Sequence, residues 1–135
     1  MTLRLPQQVF GGLKMKLSYV FIFNSIAALG YAIGLLIVPA TVMTLHGIST
    51  DPSTILMARY FGVALLGIGL VTWLARNSDK SQAQDAMTLG LPISYVAGLV
   101  LSLQATLTGQ MSVVGWLPVV VYLLLVAGYS YFRFR

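Results

Sequence analysis

Residues 17–38 read LSYVFIFNSIAALGYAIGLLIV, 22 consecutive residues without a charged side chain. A hydrocarbon core about 30 Å thick takes roughly 20 helical residues to cross, so this stretch is long enough for one full crossing. Three more apolar stretches follow, near residues 54–75, 86–107 and 112–131. The apolar runs are continuous rather than alternating, which speaks against barrel strands. Helices satisfy every backbone group within one segment, as lipid demands. The expected fold class is all-α, an integral membrane four-helix bundle over residues 17–135, with a cytoplasmic N-terminal arm over residues 1–16.

Composition agrees. Of the 135 residues, 58% are hydrophobic and only 8% are charged, against roughly 25% charged in ordinary soluble domains. A soluble chain this small has a large surface to cover with polar groups, and here they are too few. Lipid is the solvent that accepts such a surface. The absence of cysteine excludes disulfides, thiol catalysis and thiolate metal sites. A single histidine, His46, cannot supply a pair of axial haem ligands, and one imidazole makes a poor metal site.

The net charge of +5 belongs to residues beside the apolar spans, so lipid headgroups rather than nucleic acid are the expected partners. Arg4, Lys14 and Lys16 precede the first span, Arg76 and Lys80 separate the second from the third, and Arg133 and Arg135 follow the fourth. All seven fall on one face of a four-span topology. The positive-inside rule then puts both termini in the cytoplasm, in a bacterial-type inner membrane or a plasma membrane. Lys14 and Lys16 resemble the charged start of a signal peptide, but the span after them is too long and has no small-x-small cleavage site. It reads as a retained anchor, with Gly11 and Gly12 as a hinge in the arm.

Between spans, residues 39–53 (PATVMTLHGISTDPS) are expected to form a loop opened by Pro39, with Ser53 or Thr54 capping the next helix. Residues 76–85 (RNSDKSQAQD) are the one long polar stretch, and residues 108–111 a tight turn. Within the spans, Gly30 and Gly34 form a G-x-x-x-G pair, Gly62 and Gly69 share a stripe, and Gly98 sits among Ser94 and Ser102. Small residues let helix backbones approach closely in lipid, so these positions and Asn24 are expected to pack helices together or form a dimer face. An amide as deep as Asn24 needs a hydrogen bond to another helix. Pro92 and Pro118 are expected to kink their helices.

Arg59 is the one basic residue at the other end, just inside the second span. Snorkelling to the headgroups explains it without function. The functional reading pairs it with Asp51 or a ligand, in a polar pocket with Tyr60, Gln104, His46 and Gln110. Taken separately, His46 and Asp51 read as solvated loop residues. No Asp or Glu lies inside a span, although proton-coupled transport normally needs a membrane-embedded titratable group. No nucleophile, base and orienter come together either, so catalysis is not expected.

The run from the end of span one through span two, VPATVMTLHGISTDPSTILMARYFGVALLGIGLVTWLAR, resembles the small four-helix families of the DoxX-like superfamily over roughly residues 35–76. Arg59, Gly62, Gly67, Gly69 and Trp73 are the matching positions. The resemblance implies a four-helix bundle serving as an accessory subunit of a membrane oxidoreductase or as an assembly factor. The expectation is a non-enzymatic membrane component that binds partner helices and lipids, or self-associates, within a larger complex. A bound lipid, quinone or pigment is compatible with it. The alternative is a small oligomeric binding or transport protein using the Arg59 region.

Overall fold

The structure is a computed structural model and describes residues 16–134; the N-terminal arm before Lys16, with the expected hinge at Gly11 and Gly12, lies outside the described residues. Five α-helices and one 3-10 turn follow in order. They are α1 (Leu17–Ile37), α2 (Pro39–Leu45), α3 (Pro52–Leu74), α4 (Gln82–Leu107), the turn Val113–Gly115, and α5 (Trp116–Arg133). The first, third and fourth helices, and the fifth together with its turn, are long and apolar enough to cross a membrane. At 1.5 Å per residue, segments of 21 to 26 residues extend about 31–39 Å.

The helices pair as two hairpins. α1 packs along α3, α4 packs along α5, and the hairpins meet where α1 crosses α5. α3 and α4 do not pack against each other along their length. The bundle is therefore closed on three sides and open on the fourth.

Glycine sets the α1–α3 contact. A Cβ at Gly62 would come within 3.1 Å of Leu35 Cβ, and one at Gly69 within 2.6 Å of Leu29 Cγ. Gly98 instead lies beneath the ring of Tyr122, while Gly30 is exposed, with open space where its Cβ would be. The G-x-x-x-G pair is thus not one packing face, because Gly34 receives Val42 of α2. The apolar core sits toward the end carrying the chain termini, where Val20, Phe21, Tyr95, Leu125 and Tyr129 are buried together. At that end Arg133 reaches Asp85 at 3.8 Å, and Arg76 lies over the Trp73 ring at 3.9 Å.

Three local expectations are corrected. Residues 39–53 are not wholly a loop: Pro39 opens α2, because its fixed φ and missing N–H suit a first helical position. Asp51, not Ser53 or Thr54, caps α3, accepting the Thr54 backbone N–H at 2.9 Å. That bond and the Thr54 hydroxyl hold its carboxyl below the usual carboxylate range. Pro118 lies in the first turn of α5, where proline is tolerated, whereas Pro92 is interior to α4.

The α2 end is fastened across the bundle. Ser112, between α4 and α5, donates its backbone N–H to His46 O at 2.9 Å and its hydroxyl to Leu45 O at 2.6 Å. Gly47 permits this approach, with φ of 74° and with Ser112 N 2.9 Å from where a Cβ would stand.

Gly69→Leu is expected to destabilise the protein by about 1–3 kcal/mol through overpacking against α1. Gly67→Ala, where an added Cβ meets nothing, is expected to stabilise it by about 0.5 kcal/mol. Thermal unfolding in detergent reads both, and equal effects at the two positions would contradict the α1–α3 contact.

Candidate functional site

A buried amide joins three helices. Asn24 of α1 donates through Nδ2 to the Tyr129 hydroxyl of α5 at 2.7 Å, and its Oδ1 accepts from the Tyr95 hydroxyl of α4 at 2.9 Å. Asn24 is 1% exposed. The rings continue the contact: Tyr95 stands 6.4 Å from Tyr129, and Tyr129 stands 5.7 Å from Phe21 between centroids. The amide needed partners from other helices, and α4 and α5 each provide one.

Above this node, toward α2, the open side between α3 and α4 leads into a cavity of about 440 Å³. Asn24 and Tyr95 are at its floor and His46, Ile48 and Met111 at its mouth; α3 lines it with residues that include Met57, Phe61 and Leu65. From Asn24 to Leu35, both on its wall, α1 rises about 16 Å. Among the described residues no Lys, Arg, Asp or Glu lines it.

His46 closes one side of the mouth. Its Nδ1 is 2.8 Å from Val42 O, a carbonyl that can only accept, so Nδ1 carries the hydrogen. In that neutral tautomer Nε2 accepts the Tyr31 hydroxyl, 3.0 Å away. The expected solvated loop histidine is instead buried, at 7% exposure, because α2 folds its carrier back over the bundle.

The other residues of the expected polar pocket are placed apart from it. Asp51 is exposed and occupied as the α3 cap. Arg59 and Tyr60 are exposed, and Gln104 and Gln110 are exposed too; none of these lines the cavity. Arg59 follows the lining residue Ala58, and one helical step turns its side chain by about 100° away. It has no ion pair or hydrogen bond among the described residues. Thus His46 reaches the cavity and Arg59 does not.

Sequence reasoning missed the tyrosines that surround this space. Tyr31, Tyr95 and Tyr122 sit away from the helix ends, unlike interfacial-belt aromatics. A phenol that deep needs a polar partner, and that signal was available in the sequence.

Residues 2–132 match a family described as a domain of unknown function, DUF8292. The chain belongs to that family. No curated protein and no solved structure matches this DUF8292 chain.

Asn24→Leu is expected to cost about 1–3 kcal/mol, since it strands two buried phenols. Tyr95→Phe removes one bond, for which about 0.6 kcal/mol is the average inside membranes. Unfolding in detergent measures both. A neutral Asn24→Leu would contradict the node.

Proposed function

We propose that the chain is a multi-pass membrane protein with both termini in the cytoplasm, and that it holds a single apolar chain of a lipid-like ligand in the outer half of the bilayer. The observation that carries this reading is the 440 Å³ cavity open between α3 and α4. Ligand pockets commonly run from about 300 to 1,000 Å³. At roughly 30 Å³ per water-sized group the space holds about 15 such groups, one acyl or prenyl chain rather than a two-chain phospholipid. Its height of about 16 Å is near half of a 30 Å hydrocarbon core, and its open side faces where lipid would be.

The orientation rests on the positive-inside rule. Lys16, Arg76, Lys80 and Arg133 lie at the end remote from α2, which makes the cavity mouth extracytoplasmic. A binding role rather than a catalytic one is supported by His46, whose two ring nitrogens are both engaged. Single-cysteine variants test orientation on a chain with no cysteine of its own. Ser49→Cys should react with an impermeant maleimide in intact cells, and Asn77→Cys only after permeabilisation. The reverse pattern would invert the topology.

The open side also suits a second reading, the accessory component expected from the DoxX-like resemblance. Met57, Phe61 and Leu101 are exposed there and would meet a partner helix. Lipid extraction after purification from native membranes separates the two readings. The ligand reading predicts about one single-chain lipid per protein, lost in Ala105→Phe, which fills the cavity. A stoichiometric protein partner over an empty cavity would favour the accessory role and contradict the ligand reading.

A further inference from the structure

Two hydroxyls that line the cavity have no partner among the described residues. The ring of Tyr122 crosses α4 at Gly98, where a Cβ would stand 2.7 Å from the hydroxyl-bearing Cζ. That contact, with the Tyr95 ring 5.7 Å away between centroids, fixes the phenol at the cavity wall. Its hydroxyl makes no hydrogen bond among the described residues, and its oxygen keeps some accessible surface. Ser102 lies four residues beyond Gly98, one helical turn nearer the mouth, and also lines the cavity. Ser25, Thr72 and Thr106 bond carbonyls three or four residues back; Ser102 makes no such bond.

The other polar groups on the wall are already occupied. Asn24 and Tyr95 bond each other, and Tyr31 bonds His46. An ionised headgroup here would lose its hydration with no countercharge, since no described Lys, Arg, Asp or Glu lines the cavity. A neutral oxygen would lose much less and would gain a donor.

Building on the chain-binding reading, we infer that the ligand is an uncharged single-chain amphiphile whose carbonyl or hydroxyl oxygen is held by Tyr122 and Ser102. Its hydrocarbon fills the apolar remainder between α3 and α4. Charged lipids pass over the site because nothing in it balances them.

The test uses the full chain in phosphatidylcholine nanodiscs doped with equal amounts of hexadecane, 1-hexadecanol or hexadecyl sulfonate, which keeps its charge. Bound probe is read by native mass spectrometry. Hexadecanol is expected to bind about 3- to 10-fold more tightly than hexadecane, the worth of one net hydrogen bond. Tyr122→Phe keeps the ring over Gly98, and it and Ser102→Ala should each reduce that preference. Equal binding of hexadecanol and hexadecane would overturn the headgroup assignment while leaving chain binding standing. A preference that survives both variants, or a sulfonate bound tightest, would overturn it as well. Absence of all three probes would overturn chain binding too. Melting of each variant without probe shows whether it is folded, and if Tyr122→Phe is not, Ser102→Ala reads the same preference.

Discussion

A primary amide in the middle of an apolar helix has to find hydrogen bonds in other helices, and the arrangement of this bundle follows from where Asn24 finds them. Its two partners, Tyr129 and Tyr95, come from α5 and α4. The amide therefore ties the second hairpin to α1 at one depth. Glycine contacts at Gly62 and Gly69 tie α3 to the same helix. α1 serves both hairpins, and no comparable tie joins α3 to α4. The cavity lies in the gap that this leaves.

The two ends of that gap differ. Toward the termini Phe21, Leu125 and the rings of Tyr95 and Tyr129 pack α1 against α4 and α5. Toward α2 the gap widens into the cavity, and the short helix, docked against Gly34 through Val42 and fastened by Ser112, places His46 beside the mouth. Van der Waals contact is among the forces that pack helices within lipid, and the proposed ligand chain would supply it on this face. A bilayer offers hydrocarbon chains for that purpose.

Much of the fold was readable from the sequence because it rests on the length and hydropathy of the helices. Four apolar runs account for the long helices, and the expectation that Asn24 bonds another helix agrees with its two phenol contacts. The candidate site was harder to read. Arg59 drew attention as an isolated cation, yet its direction depends on the rotation of α3, which apolar residues on every face leave undetermined. His46 looked like a loop residue because residues 39–45 are too few to show helical periodicity. Tyr122 and Ser102 come to one cavity only through the packing of α4 on α5. Glycine spacing shows that close approach is feasible, but not which neighbour arrives: Gly98 receives Tyr122 and Gly30 receives nothing.

The central claim is that the α3–α4 side is open in the bilayer and holds one apolar chain. An experimental density map of the protein in a nanodisc made from its native membrane tests this most directly. The account predicts one elongated density running from the level of Asn24 to the mouth beside His46, with its polar end at Tyr122. A cavity closed by α3 packed on α4, or filled by a protein helix, would contradict it.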